Sequence, residues 1–245
     1  MSKITPPAPV TDGRKVAVIG GGPTGMSAAY FVGRAGIPVT LFEKVDRLGG
    51  IVRQVIPAFR ISDEAIDKDV ALMEKMGVEV KLNTEAPSVA ELKAQGYTHI
   101  FFAVGAWKAG RLDIPGNVVP VIGWLRDMKA GKDVSLGHVA VVGGGNTAMD
   151  AARAALRAGA KSSTLVYRRT KKYMPADAEE LEMAIADGVE FLELVAPVEQ
   201  KDGKLICEKM KLGDPDDKGP PQARPHRRNG GDPLRHRGLR RGREG

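Results

Sequence analysis

One cysteine, Cys207, stands in 245 residues. A single thiol excludes an internal disulfide, a Cys-x-x-Cys redox pair and an all-cysteine iron–sulfur site built by this chain alone. Cys207 falls in the alternating stretch KLICEKMKL, which predicts a half-buried strand position rather than a reactive thiol. Long hydrophobic runs are missing too: none approaches the roughly 18 residues of a membrane span. The opening residues 1–13, MSKITPPAPVTDG, are polar and proline-rich with no apolar secretion core, and read as a linker into the first strand. These absences point to a cytoplasmic chain with no membrane partner. What is present, 42% apolar residues, suffices for one or two domains with real cores.

Net positive charge is also scarce except in one place. Residues 219–245 hold eight arginines and no lysine against Asp232 and Glu244, a net of +6, and the other 218 residues carry a net of only +1. The neutral body speaks against a nucleic-acid partner, whose phosphates need a basic face. The tail contains no β-branched and no aromatic residue, so 214–245 is expected to lack regular structure. Three readings of 219–245 stay open: an Arg/Gly arm for anionic surfaces, an inert tail, or an out-of-frame translation. Back-translated with GC-rich codons and read one nucleotide later, it can give ARRKPVPTGETVEIPCDTVVSAAVGE, a strand-rich string.

Along the body, strands and helices alternate. Strands are expected at Lys15–Gly20, Pro38–Glu43, Val78–Leu82 and Tyr97–Val104, the last an apolar run typical of a buried parallel strand. Helices are expected at Thr24–Ala35, at Ser62–Met76 with Ser62 as N-cap, and at Ser88–Gln95. The scheme then repeats: strand His138–Val142, helix Thr147–Arg157, strand Ser163–Arg168, helix 177–187 and strand Val189–Leu194. Val195–Gln200 and Lys204–Leu212 flank a Lys-Asp-Gly turn and read as a β-hairpin. The fold class is therefore α/β, with two Rossmann-like, parallel doubly wound units.

Each repeat opens on the same glycine-rich turn, VAVIGGGPTGMSAAY at 16–30 and VAVVGGGNTAMDAAR at 139–153. In the first, Gly20 permits the tight turn, Gly22 lets a pyrophosphate approach the backbone, and Gly25 lets helix and strand pack closely. Free N–H groups at the helix start then face the phosphates. Glu43, at the end of the second strand, suits a ribose diol and repels a 2′-phosphate, so this turn calls for FAD or NAD. The second turn carries Gly143, Gly145 and Ala148, and ends its next strand on Tyr167-Arg168-Arg169, with Lys171 and Lys172 following. Guanidinium groups match a phosphate as a fork, so this turn should prefer NADPH. No acid–base residue is nominated: Asp150, Glu179 and Glu180 read as solvated or first-turn carboxylates.

These motifs, with LGGIVRQVIPAFRIS, FFAVGAW…LDIPG and VYRRTKKYMPADAEELEMAIADGVEF between and after them, resemble the glutamate synthase small-subunit group of flavoproteins over about residues 13–213. The wording VIPAFRISDEAIDKDVALMEKMGVEV is nearest the selenate-reductase-type subunit of that group. The resemblance implies an FAD-binding domain over 14–125 and an NADPH-binding domain over 136–213 inserted into it. It implies FAD contacts at Gly20, Gly22, Pro23, Thr24, Gly25, Glu43, Lys44, Gly50, Ile51, Arg60 and Gly105. It implies NADPH contacts at Gly143, Gly144, Gly145, Asn146, Thr147, Ala148, Arg168 and Arg169. NADPH would reduce the flavin, and electrons would leave for iron–sulfur centres of a partner or further domain. Two departures stand out: no cysteine-rich N-terminal region, and no C-terminal FAD segment with its Gly-Asp motif. The alternative they raise is a catalytically incomplete chain that binds NADPH only.

Overall fold

The computed structural model describes residues 5–108, 110, 112–134, 136–213, 221–226 and 235–239. They form two units, Met1–Lys108 and Ala109–Gly245. The first runs β1 (Val16–Ile19), α1 (Pro23–Arg34), β2 (Val39–Phe42), α2 (Gly50–Gln54), α3 (Asp63–Glu74), β3 (Glu79–Lys81), α4 (Val89–Ala94) and β4 (His99–Phe102). Its sheet has the order β3-β2-β1-β4 with all neighbours parallel. The pleat sends alternate residues of β1 to opposite faces. Val16 and Val18 meet Met26, Ala29 and Met73 of α1 and α3, whereas Ala17 joins Phe42, Leu92 and Tyr97 on the face that α4 covers.

Local signals explain the helix starts. Ser62 accepts from the Ala65 amide at 3.3 Å, with Asp63 and Glu64 in the first turn of α3. Ser88 and Glu91 cap α4 reciprocally, the pattern that satisfies two orphan amides at once. Residues 8–10, within the expected linker 1–13, lie against the first unit. The Val10 amide donates to the Gly36 carbonyl at 2.7 Å, and the chain lies against the α1–β2 turn.

β4 departs from the expectation of a buried strand. Phe101, Phe102 and Val104 are 43, 60 and 59% exposed. The cause is topological: β4 is an edge strand, paired with β1 on one side only. An apolar run declares that it is to be covered, and does not say by which segment.

The second unit runs α5 (Val121–Lys129), β5 (His138–Val142), α6 (Asn146–Arg157), β6 (Ser162–Tyr167), a 3-10 turn (Lys171–Tyr173), α7 (Ala178–Ala186), β7 (Glu190–Glu193), β8 (Val195–Lys201), β9 (Lys204–Leu212), β10 (Ala223–Pro225) and β11 (Arg235–Leu239). β5, β6 and β7 form a parallel sheet. Ala148, Met149 and Ala152 of α6 and Leu181 and Ala184 of α7 cover one face, against Leu165. The other face meets a β-hairpin instead of helices: Val166 packs with Val195 and Cys207. The hairpin turns on Asp202 and Gly203 at φ 50° and 69°, the left-handed pair that Asp-Gly favours. Cys207 is buried, which pushes its thiol up to about 11, so it stays protonated and inert.

Part of the stretch expected to lack regular structure is paired. β10 lies antiparallel to β9 at Met210–Leu212, and β11 antiparallel to β9 at Leu205–Glu208. Strand addition to an open edge draws on backbone groups and needs no apolar side chains. The rest of 214–245 lies outside the described residues. No helix among the described residues is long and apolar enough to cross a membrane.

α6 and α7 are tied by charge. Arg153, buried on α6, donates from Nε to Asp187 at 2.8 Å, and Arg157 reaches the same carboxylate at 2.8 Å. The hydrogen bond from Arg153, then that from Arg157, holds the Asp187 carboxyl below its ordinary value of 3.8. A depressed carboxyl contributes stability above its unfolded value and loses it as the folded form becomes protonated. Asp187→Ala should therefore cost about 2 kcal/mol at neutral pH. In thermal melts the gap from the native chain should close as pH falls below about 4.

Candidate functional site

In the first unit the glycine turn joins β1 to α1, at the carboxyl end of the parallel strands. Gly20 has φ 105°, and a Cβ there would lie 2.4 Å from the Ala103 carbonyl oxygen. A Cβ on Gly25 would lie 1.8 Å from the Gly20 oxygen. Both positions are closed to any other residue by the protein itself. Gly22 is different: a Cβ there would meet nothing nearer than Gly50 Cα at 3.9 Å. The space kept clear at Gly22 is outside the protein, where a ligand would sit.

Gly22 is also the N-cap of α1, with no side-chain cap and no acidic residue in the first turn. Ser-capped α3 and α4 satisfy their own amides. The amides at the start of α1 remain available to an anion, on the positive end of the helix dipole. Pro23, at the first helical position, has no amide to leave unsatisfied. It and Thr24 are exposed at the mouth of the turn, whereas Gly25 is buried behind it.

Glu43 follows β2 and is buried. Its Oε2 accepts from the Gly21 amide at 2.7 Å and its Oε1 from the Val45 amide at 3.1 Å. Each oxygen keeps a lone pair, so the carboxylate can still accept from a ribose diol. The loop Leu48–Gly50 closes over the turn: Gly49 N donates to Gly21 O at 2.8 Å. Gly50, at φ 53°, comes so near that a Cβ on it would lie 2.8 Å from Gly22 Cα. Sequence reasoning missed what holds this loop. Arg53 of α2 is buried, donates from Nε to the Leu48 carbonyl, and pairs with Asp63 and Asp67 of α3. The spacing of Asp63 and Asp67, one helical turn apart, was the available signal.

The remaining first-turn candidates are more dispersed. Ile51 is half-buried on α2, whereas Lys44 and Arg60 are exposed, Arg60 in the turn before α3. Gly105 is exposed at φ 72°, two residues beyond Ala103, which a Cβ on either Gly20 or Gly25 would meet.

The second turn repeats the first with one change. A Cβ on Gly145 would meet nothing within 4 Å. Gly145 caps α6 with no side-chain cap and no acid in the first turn. At the third position Ala148 stands buried, 3.3 Å from where a Cβ on Gly143 would lie. Its methyl group occupies room that the first turn does not have. Gly144 is overlain by the Tyr167 ring, 2.5 Å from the position of a Cβ. Asn146, at the helix start, is clasped by Asp177: Asp177 N donates to Oδ1 at 3.1 Å and Asn146 Nδ2 donates to Oδ2 at 3.2 Å. Thr147 beside it is exposed.

Beyond β6 a cleft of about 530 Å³ opens between Tyr167, Arg168, Arg169 and the segment Tyr173–Pro175. The two arginines differ. Arg168 is exposed and, among the described residues, makes no ion pair. Arg169 is half-buried and donates to the Gln222 side chain at 3.2 Å, beside β10. Asp150, expected to be a solvated or first-turn carboxylate, is instead buried on α6 beyond the first turn. Glu179 and Glu180 lie in the first turn of α7, Glu179 exposed and Glu180 buried beside Arg153. The helix pattern places these carboxylates but does not reveal that α7 covers the α6 face.

Comparison with known proteins places the chain in a family. YgfK of Escherichia coli (strain K12) is 45% identical over 211 residues, 83% of this chain and 20% of that protein. The glutamate synthase [NADPH] small chain of the same strain is 33% identical over 231 residues, 84% of this chain and 49% of that one. The chain thus spans about a fifth of the first and about half of the second. Among solved structures, FprA from Mycobacterium tuberculosis in complex with NADPH superposes at a TM-score of 0.70 and 19% identity, over 86% of this chain and 66% of that one, a likeness of fold. The pattern of the pyridine nucleotide-disulphide oxidoreductases matches residues 14–216, and the chain belongs to that family.

Proposed function

We propose that the chain is the dinucleotide-binding module of an NADPH-dependent flavoprotein oxidoreductase, with FAD on the first turn and NADPH on the second. One observation carries the proposal: two matching helix starts, each left uncapped behind a cleared glycine, are followed by opposite chemistry at the next strand end. The first has the carboxylate of Glu43, the second the guanidinium of Arg168. A carboxylate accepts from ribose hydroxyls and repels a 2′-phosphate, and a guanidinium does the reverse.

On this proposal Gly22, Pro23, Thr24 and Gly25 cradle the FAD pyrophosphate on the start of α1, Glu43 orients its ribose, and Gly50 with Ile51 closes over it. Lys44 and Arg60 add positive charge outside, and Gly105 borders the flavin end. Gly143 to Ala148 carry the NADPH pyrophosphate on the start of α6, with Arg168 and Arg169 at the 2′-phosphate. When bound, the nicotinamide supplies a hydride and the flavin accepts it and releases electrons one at a time. The protein's part is to hold the pair, and no side chain is assigned a proton transfer. The electrons would pass to iron–sulfur centres of a partner or further domain, in the cytoplasm. The name of the small-chain relative, a component of a larger enzyme, supports that role.

A second reading has an observation of its own. Phe102 and Val104 are 60 and 59% exposed on either side of Ala103, next to the first turn. A chain whose first site lacks its cover would bind NADPH and no flavin. The visible spectrum of the purified chain separates the two: a flavin band that bleaches on adding NADPH is expected, and a colourless protein that still binds NADPH would favour the second reading. Arg168→Ala should weaken NADPH about 10-fold to 100-fold in a binding titration, the worth of a charged hydrogen bond, and leave NADH nearly unchanged.

A further inference from the structure

Tyr167 closes β6, one residue before Arg168, and touches both ends of the second site. Its ring lies on the glycine turn, where a Cβ on Gly144 would come within 2.5 Å. Its hydroxyl donates to the Tyr173 carbonyl at 2.6 Å. Tyr173 lines the same cleft as the two arginines. The wall there continues from the 3-10 turn Lys171–Tyr173, and Met174 and Ala176 pack against the α6–α7 core. Lys171 N donates to the Glu193 carboxylate at 2.9 Å at one end, and Ala176 N to Gly144 O at 3.0 Å at the other. Between those ties the turn makes its own bonds, Tyr173 N to Thr170 O and Met174 N to Lys171 O. The Tyr167 hydroxyl adds a side-chain bond that holds the Tyr173 carbonyl to β6.

We propose that Tyr167 is a positioning residue for the choice of NADPH over NADH: its hydroxyl fixes the Tyr173 wall of the cleft that Arg168 also lines and so sets the width available to the 2′-phosphate. This rests on the assignment of NADPH to the second turn. A guanidinium–phosphate pair is directional, and its strength depends on both partners being held in place. A cofactor without the phosphate leaves that end of the cleft empty and gains nothing from a fixed wall. The ring contact with Gly144 serves the pyrophosphate end, which both cofactors share.

Tyr167→Phe separates the two contacts, since it keeps the ring and deletes the hydroxyl. Binding of NADPH and of NADH to the full chain, titrated at one salt concentration, should show NADPH weakened about fivefold and NADH changed less than about twofold. Thermal melts report whether the fold is kept. Tyr167→Ala, which also removes the ring, should weaken both cofactors. Equal loss of the two cofactors in Tyr167→Phe, or no loss, overturns the proposal. If the native chain prefers NADPH and Arg168→Ala abolishes that preference, an unchanged ratio in Tyr167→Phe refutes this inference alone. If the native chain shows no preference, the assignment of the second turn fails and this inference with it.

Discussion

Two helix starts without a side-chain cap are the constraint on which the rest of the structure depends. A parallel strand delivers the chain to the helix through a turn so tight that Gly20 and Gly25 are in contact, and a Cβ on Gly25 would lie 1.8 Å from the Gly20 oxygen. The turn leaves α1 and α6 without side-chain caps, in contrast to α3 and α4. An uncapped start costs stability in the free protein and returns it when an anion binds. On the proposed function, the side chains nearby hold the two turns in shape for an anion. Glu43 braces the Gly21 amide, Arg53 holds the Leu48 carbonyl, and Asp177 clasps Asn146.

The two units solve the same packing problem differently. In the first, helices cover both faces of the sheet. In the second, α6 and α7 cover one face and the β8–β9 hairpin the other, with Cys207 sealed between. That hairpin also sets the surroundings of the second site. Its edge carries β10, and Gln222 just before β10 engages Arg169. Arg168 is thereby left as the guanidinium facing solvent at the cleft, although the sequence shows two equivalent arginines.

Local rules made much of this legible. The cap at Ser62, the Asp202-Gly203 turn and both glycine turns follow from residues within a few positions of one another, so the sequence contains all their determinants. Features that depend on a distant segment were hidden. The burial of Asp150 depends on how the helices pack around α6, and the exposure of Phe102 on β4 having one neighbour instead of two. The role of Tyr167 needed the position of a carbonyl six residues on, across a turn of irregular backbone. β10 and β11 were illegible for a further reason. Strand addition at an edge uses the backbone, and composition speaks only for side chains.

The central claim is that the two cleared glycines serve separate ligands. Gly22→Ala and Gly145→Ala add a methyl group to open space, with no protein atom nearer than 3.9 Å. Both variants should therefore fold like the native chain. FAD and NADPH binding measured on the pair tests the claim most directly. The expected result is loss of FAD alone in Gly22→Ala and loss of NADPH alone in Gly145→Ala. Native affinity for both cofactors in both variants, or loss of the same cofactor in each, would contradict it.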